Sequence, residues 1–465
     1  MTTIPDLTSA QSAPPAPLGL HPECPDWRRL GPAPVDAALR AAAAGHEAEA
    51  LERETLWSRG FSRRRVLAGG LGVGVAALGS QLVTARVAYA ATGTTTGTVV
   101  VIFLRGGMDG LSMLVPGADP DYRSARGSIA VPASTLIALD GNRLFGLHPA
   151  MAPLKPLISK GQVAAVPAIS TPDLSRSHFQ AQECLERGGA ATGAQTGWLD
   201  RVLQASGPGT TFRSVALGGL TPRSLAGTNG AVPFGSLQNL KIAGTGGDLA
   251  TVERTNAAIA ALYTGLDDPI AVQAGIAVDA VRTAARLSTP ATPVPTYPTG
   301  DLGAALRDIA TLIKAGTGVR VATVDVGGWD MHTGLGTVDG GDMTQGVGAL
   351  AAALAAFAAD LGSLLDTTTV VTMSEFGRRV TQNASNGVDH GHGGVSLVLG
   401  GGVRGGVKGT WRGLAPAVLD QGDVPGTNDY RDLLSEVVAR RLGLTSGALS
   451  TVFPGWTPTP LGVMA

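Results

Sequence analysis

The chain is 465 residues long, carries a net charge of −1, and has only 15% charged residues. A charge this close to zero argues against a nucleic-acid partner, and two cysteines exclude a disulfide framework. A hydrophobic fraction of 44% lies well above that of disordered proteins, while 66 glycines indicate many loops around a large core.

The N-terminal residues predict an export signal rather than part of the fold. Residues 1–61 are rich in Ala and Pro and show little periodicity, so we expect a disordered extension. The pair Arg63 and Arg64 then precedes a glycine-diluted apolar stretch, and Ala88 to Ala90 form a small-x-small cleavage motif. The pattern predicts a twin-arginine signal peptide over residues 62–90.

This signal predicts where the protein works. We expect the twin-arginine translocase to export the chain to a periplasmic, cell-wall-associated or extracellular location. A membrane anchor is the alternative, but the glycines of the apolar stretch and Arg86 weaken a stable span. Residues 91–97 are then a linker, and residues 98–465 form the folded domain.

The folded part of the chain begins with strand signals. Thr98–Leu104 is a continuous β-branched run, typical of a strand buried on both faces, and it ends in a glycine-rich turn. Val163–Ile169 is a second strand candidate, followed by a loop that opens a helix near Ser177. Residues 205–250 are rich in Gly, Thr and Ser, so we expect an irregular cap or insertion there.

The second half alternates helices with strands. In chain order we predict a helical region at Val252–Ser288, a proline-rich loop at Thr289–Tyr297, a helix at Asp301–Lys314, a strand at Val319–Val326, a helix at Thr344–Leu365, strands at Thr368–Met373 and Val395–Leu399, and a helix near Tyr430–Leu442. This alternation predicts an α/β fold, with a mostly parallel central sheet flanked by helices on both faces.

Side chains that bind divalent metals lie at the ends of several predicted strands. The candidates are Asp109, Asp330, His332, Glu375, His390 and His392. Imidazole and carboxylate together suit Zn, Mn or Fe, and strand ends of α/β sheets often hold such sites. A lone Asp/His couple is structural more often than not, and Asp109 also fits a D-G turn. Three such groups in succession favour a metal or phosphate-type site.

The segment Ser175 to His178 contains the candidate nucleophiles. A hydroxyl at a helix N-terminus beside a divalent ion has its alkoxide stabilised by both, which fits Ser177 or Ser175. A helix-capping serine is the alternative. His178 is either a ligand or a hydrogen-bond donor. Arg105 of the first glycine-rich loop either binds an anionic group or pairs with a carboxylate, and Arg176 is the other candidate for holding the anionic group.

Five motifs occur in a familiar order: L-R-G-G-M-D-G-L-S-M-L-V-P, S-R-S-H-F-Q-A-Q, G-W-D-M-H, S-E-F-G-R and D-H-G-H-G-G. Together they resemble a secreted bacterial family catalogued as domain of unknown function 1501, over residues 98–465. That family is similar to the alkaline phosphatase and sulfatase superfamily. The resemblance implies an alkaline-phosphatase-like α/β fold that hydrolyses phosphate or sulfate esters on one or two divalent metals, such as Zn, Mn, Ca or Mg.

The superfamily pattern also implies roles for single positions of this chain. The matched positions are Asp109, Ser177 with Ser175 as the alternative nucleophile, Asp330, His332, and His390 or His392. Two departures stand out. Asp330 and His332 are closer in sequence than the pattern has them, and Glu375-Phe376 replaces an Asp-His pair. Phe376 therefore lies where the pattern has a histidine ligand.

The sequence predicts an exported, metal-dependent hydrolase of phosphate or sulfate esters, acting on an anionic small molecule or polymer. The alternative is a catalytically altered protein that keeps the fold and serves as a binding or assembly partner, which Phe376 favours. A dinucleotide-dependent oxidoreductase is the third hypothesis. It is disfavoured because R-G-G-M-D-G lacks the G-x-G-x-x-G spacing.

Overall fold

Apolar runs of the chain form the strands of a large central sheet and a small side sheet. The computed structural model describes residues 97–139, 141, 143–189, 195–218, 220–241, 249–263, 269–287 and 295–465. The predicted extension, signal peptide and most of the linker therefore lie outside the described residues. The strands are β1 Thr98–Leu104, β2 Leu114–Val115, β3 Ile137–Ala138, β4 Gly146–Leu147, β5 Val163–Ser170, β6 Ser214–Leu217, β7 Val232–Phe234, β8 Val321–Val326, β9 Thr368–Met373, β10 Gly394–Gly400, β11 Gly406–Val407 and β12 Asn428–Asp429.

Helices cover the sheet. They are α1 Gly110–Met113, α2 Tyr122–Arg126, α3 Lys155–Ile158, α4 His178–Arg187, α5 Trp198–Ala205, α6 Leu249–Tyr263, α7 Pro269–Leu287, α8 Asp301–Lys314, α9 Asp342–Leu361, α10 Tyr430–Leu442 and α11 Ser446–Val452. By length and composition the segment Asp342–Thr367 is apolar enough to cross a membrane. Core helices of soluble proteins share this property, and α9 packs in the core beside α8.

The central sheet has the order β11-β5-β10-β9-β1-β8-β6-β7, with β12 also paired to β5. β1 pairs in parallel with both β8 and β9. The strand β10 is the exception, because it runs antiparallel to β5 and β9. The predicted α/β fold with a mostly parallel sheet is therefore confirmed.

Strand β1 shows why the sheet is covered on both faces. All of its residues are buried, and alternate side chains point to opposite sides. Val100, Ile102 and Leu104 join the core cluster that includes residues of α8 and α9. Val99, Val101 and Phe103 join a second cluster with residues of α5 and α10. Each face thus needs its own layer of helices, which explains the continuous apolar run.

The structure corrects the expectation that residues 205–250 are irregular. This stretch contributes β6 and β7, two short parallel strands at one edge of the sheet. The strands are only 4 and 3 residues long, so the surrounding Gly, Thr and Ser hide their apolar pattern. The helical region Val252–Ser288 is divided into α6 and α7, and most of the proline-rich loop Thr289–Tyr297 lies outside the described residues.

Candidate metal centre

The polar loops meet at the C-terminal end of the parallel strands. The strands β1, β5, β8 and β9 all finish at this end of the sheet. Because β10 is antiparallel to its neighbours, it begins at the same end. The loop before β10 therefore meets the loops that follow the parallel strands. This arrangement places His390, which precedes β10, beside the Asp330 loop.

Asp330 lies at the centre of these loops. Its Oδ1 accepts a hydrogen bond from Arg378 Nη2 at 2.6 Å and lies 3.0 Å from His332 Nε2 and 3.3 Å from His390 Nε2. Its Oδ2 is buried without a hydrogen-bond partner and lies 3.6 Å from His178 Nε2. Three imidazoles and one guanidinium thus surround a single carboxylate.

The outer nitrogen of each imidazole faces an oxygen atom. His178 Nδ1 is 2.8 Å from Glu375 Oε1, and His332 Nδ1 is 3.1 Å from Asp389 Oδ1. His390 Nδ1 is 2.8 Å from the carbonyl oxygen of Arg176. A carboxylate or carbonyl oxygen accepts, so each Nδ1 carries a hydrogen and each ring turns its Nε2 toward Asp330. This is how metal-binding histidines are oriented in proteins.

The electrostatics keep both central carboxyl groups ionised. Burial opposes the charge of Asp330, but hydrogen bonds from His178, His332 and His390 outweigh it and hold its pKa well below the ordinary range. Burial likewise opposes the charge of Glu375. Hydrogen bonds from His178 and Gln182 outweigh it and lower the pKa of Glu375 to about 2. An ionised carboxylate is the protonation state that metal binding requires.

Phe376 closes the cluster on one side. Its ring lies 4.8 Å from the ring of His178 and 4.7 Å from that of His390. Gly107 makes room for it, because a Cβ at that position would lie 2.3 Å from the Phe376 ring. The residue that stands in place of a predicted histidine ligand therefore packs against two imidazoles and limits their rotation.

The donor set fits a divalent ion. One ligand atom each from His178, Asp330 and His390 lies within 4.8 Å of the other two. Ligand atoms around a tetrahedral zinc ion at bonds of about 2.1 Å are roughly 3.4 Å apart, so a small contraction brings the three onto one ion. Asp330 Oδ2, buried without a hydrogen-bond partner, is the atom that such an ion would satisfy.

The other predicted ligands lie around this trio. Asp109 binds Arg126 and accepts a 2.5 Å hydrogen bond from Ser112, and no described contact joins it to the three histidines. Glu375 orients His178 from behind rather than facing Asp330. His392 Nε2 lies 3.1 Å from the carbonyl oxygen of Thr171. The cluster therefore brings together Asp330, His332 and His390 of the predicted ligands.

The two candidate nucleophiles differ in their surroundings. Ser175 donates a 2.6 Å hydrogen bond to Asp173 and accepts one from the backbone N–H of Ser177. Ser177 is the N-cap residue of α4 but makes no side-chain capping hydrogen bond. It lies directly between His178 and Arg176, whose carbonyl group orients His390. Ser175 therefore stabilises the turn before α4 through these hydrogen bonds, whereas Ser177 is the immediate chain neighbour of His178 in the cluster.

Both candidate anion-binding arginines are paired with carboxylates. Arg105 Nη2 lies 2.6 Å from Glu186 and 3.0 Å from Asp325. Arg176 binds Asp423 through Nε and Nη2, at 2.8 and 2.5 Å. Arg176 also has a φ of 55°, a strained value for a residue other than glycine, which turns its carbonyl group toward His390. Binding of a substrate anion by either residue stays a prediction.

Two residues of the site were not among the predicted site residues. His178 was considered only as a ligand or a hydrogen-bond donor, and Arg378 was assigned no role. The S-R-S-H motif at a helix start was the available signal for His178. Nothing in S-E-F-G-R shows that Arg378 turns inward, since its contacts come from three separate segments of the chain.

Comparison with known proteins gives a family but no activity. The model of a family described as "Protein of unknown function (DUF1501)" matches residues 156–449. No curated protein matches the sequence. The PsFucS1 sulfatase from Pseudoalteromonas sp. is similar in structure at 12% identity and a TM-score of 0.34, over 85% of this chain and 76% of that one.

A second solved structure, Ps i-CgsB in complex with k-i-k-neocarrahexaose, is similar at 13% identity and a TM-score of 0.30, over 75% of this chain and 72% of that one. TM-scores this low carry no conclusion about activity. The site itself has to supply the chemistry.

Proposed function

Since this chain belongs to the DUF1501 family of proteins of unknown function, we propose from its site that it is an exported, metal-dependent hydrolase of phosphate or sulfate esters. One observation carries the proposal: His178, Asp330 and His390 each offer a ligand atom within 4.8 Å of the other two, and Asp330 Oδ2 is buried without a hydrogen-bond partner. Buried groups of this kind are costly unless they serve a ligand.

The residues that would hold the ion are His178, Asp330 and His390. Three protein ligands are typical of catalytic rather than structural metal sites. A divalent ion held there supplies a positive charge that polarises an ester oxygen and stabilises a neighbouring alkoxide. Glu375, Asp389 and the Arg176 carbonyl group fix the imidazoles, so little reorganisation is needed when an ion binds.

Ser177 is the nucleophile in this proposal. Its Oγ loses its proton and forms a bond to the phosphorus or sulfur atom while the bond to the ester oxygen breaks, and the leaving oxygen takes up a proton and departs as the alcohol. Water then cleaves the seryl ester and releases phosphate or sulfate. The position of Ser177 at the N-terminus of α4 supports this role, because the helix dipole favours negative charge on its oxygen.

A matched pair of serine variants tests the proposal. On aryl phosphate and aryl sulfate esters, Ser177→Ala should lower kcat by about a thousandfold or more, while Ser175→Ala should lower it less than about tenfold. Both variants should bind metal as the wild type does. Activity that survives in Ser177→Ala would contradict the assignment of the nucleophile.

The second candidate is a non-catalytic binding or assembly protein on the same fold. Two observations favour it. The side chains of the central residues are 0 to 7% exposed, which restricts access to a substrate. Leu174 and Phe179, on either side of the Ser175–His178 segment, are 67% and 58% exposed and suit contact with an apolar surface. Absence of hydrolysis in a metal-loaded protein would favour this candidate.

The proposed site of action is outside the cytoplasm. The twin-arginine pair at Arg63 and Arg64 and the motif at Ala88 to Ala90 support export, and they lie outside the described residues. Twin-arginine export carries folded proteins, which suits a protein that takes up its metal before export. Replacing Arg63 and Arg64 with lysine should leave the protein in the cytoplasm, as cell fractionation would show.

A further inference from the structure

Arg378 is a fully buried cation in direct contact with the metal-binding cluster. Its side chain is 0% exposed, and its donors are all directed at protein groups. It donates to the carbonyl groups of Gly106, Gly107, Trp329 and Val388, to Asp330 Oδ1 at 2.6 Å, and toward His332 Nε2 at 3.3 Å. No donor remains for a substrate, so its role lies within the protein.

The two oxygens of Asp330 face different partners. Oδ1 lies against Arg378, His332 and His390, whereas Oδ2 lies on the side of His178 and lacks a hydrogen-bond partner. One carboxylate therefore serves a fixed guanidinium with one oxygen and leaves the other for an ion. Among the three histidines, only His332 also lies within hydrogen-bond reach of Arg378.

We propose that the Arg378 guanidinium occupies the place of a second metal ion, so that the centre binds a single divalent ion through His178, His390 and Asp330. In this arrangement His332 contacts Arg378 and is not a ligand of the ion. This inference rests on the proposed metal centre and specifies its stoichiometry. Arg378 is a positioning residue, because it holds Asp330 and repels a second cation.

Two physical arguments support the assignment. An arginine side chain stays protonated at any accessible pH, so its charge cannot be removed to admit a metal ion. Moving it aside would take a donor from the buried carbonyl groups of Gly106, Gly107 and Val388, which is unfavourable because buried carbonyl groups need hydrogen-bond partners. A second divalent ion would therefore meet both a fixed like charge and a rigid network.

The count of bound metal tests the inference directly. The full chain, stripped with a chelator, is titrated with Zn²⁺ and with Mn²⁺ by calorimetry, and the saturated protein is checked by elemental analysis. The expected stoichiometry is one ion per chain, and two ions would overturn the inference. No binding at all would instead overturn the metal centre of the proposed function, so the two failures are distinguishable.

Variants at Arg378 provide the second test. Arg378→Gln removes the charge and should bind a second Zn²⁺ ion or bind the first at least about tenfold more tightly, because a repelling charge is gone. Arg378→Lys keeps the charge and should still bind one ion. Unchanged stoichiometry and affinity in a folded Arg378→Gln protein would overturn the inference.

If Arg378→Gln does not fold, His332→Ala tests the inference instead. Because His332 is proposed to contact the Arg378 guanidinium and not the ion, its loss should weaken Zn²⁺ binding less than about tenfold. His178→Ala and His390→Ala should each weaken it at least about a hundredfold. A loss in His332→Ala as large as in His178→Ala would show that His332 is a ligand and that the assignment is wrong.

Discussion

Two buried aspartates of this protein are alike in their nearest contacts and differ in what surrounds them. Asp109 pairs with Arg126, and Asp330 pairs with Arg378. Each follows a glycine-containing turn after a strand, and each has one oxygen that is buried without a hydrogen-bond partner. The free oxygen of Asp330 faces an imidazole nitrogen, whereas the described neighbours of Asp109 are Ser112 and Arg126.

The difference shows what distinguishes a candidate metal centre from a structural ion pair. A buried carboxylate and its arginine are common to both places, so neither the burial nor the pair identifies a site. The distinguishing feature is the set of imidazoles that are oriented from behind and directed at one carboxylate. Arg126 instead ties Asp109 to the segment at Arg379 and Val380, which positions the loop that carries Arg378.

Asp330→Asn should have the largest effect, since it changes both binding and stability. Loss of a charged ligand should weaken Zn²⁺ binding by about a thousandfold or more. Leaving Arg378 as an uncompensated buried charge should lower the free energy of unfolding by about 3–5 kcal/mol. Calorimetric titration and urea unfolding in chelator measure the two effects. Metal binding within tenfold of the wild type would contradict the account.

Asp109→Asn should lower the stability of the protein without changing its metal binding. Arg126 would lose its partner, so the free energy of unfolding should again fall by about 3–5 kcal/mol. Metal affinity and stoichiometry should match those of the wild type. Loss of the metal in this variant would show that Asp109 is a ligand, as the superfamily pattern implies, and the contrast between the two aspartates would fail.

Glu375→Gln should have an intermediate effect. Weaker orientation of His178 should reduce metal affinity by about 10–100-fold. The lowered pKa of Glu375 also predicts a pH dependence of the metal-free protein. Because the folded pKa is about 2 and the ordinary value is 4.5, Glu375 stabilises the fold above pH 4.5, and this contribution is lost as the pH falls toward 2. Acid unfolding of Glu375→Gln should lack this contribution, and an unchanged acid profile would contradict it.

Phe376→Leu should have the smallest effect. The apolar contact with His178 and His390 is reduced but not removed, so stability should change by less than about 1.5 kcal/mol. Metal affinity should fall less than about tenfold, because the Nδ1 hydrogen bonds still orient the rings. A complete loss of binding would mean that Phe376, rather than the hydrogen bonds, holds the imidazoles in place.

Much of the fold could be predicted from the sequence. The bounds of β1, β9, α8 and α10 agree with the prediction residue for residue. These elements are buried over most of their length, so their apolar patterns are continuous and their ends are marked by glycine or charge. The strands β6 and β7 were missed because 3 or 4 residues in a polar, glycine-rich stretch show no period.

The site could be predicted only in part. Asp330, His332 and His390 were found because each lies close to the end of a recognisable strand. The roles of His178 and Arg378 depend on which strands are neighbours and on the reversed direction of β10, neither of which the local sequence shows. The orienting carbonyl of Arg176 depends on a single strained φ. Such contacts arise from tertiary structure and leave no pattern in the sequence.

The central claim is that His178, Asp330 and His390 form a metal centre. The most direct test is Zn²⁺ and Mn²⁺ binding by the purified full chain, measured beside His178→Ala and His390→Ala. The account predicts that the wild type binds metal, that a chelator lowers its thermal stability, and that both variants lose these properties while staying folded. A wild-type protein that binds no metal and whose stability is unaffected by chelators would contradict it.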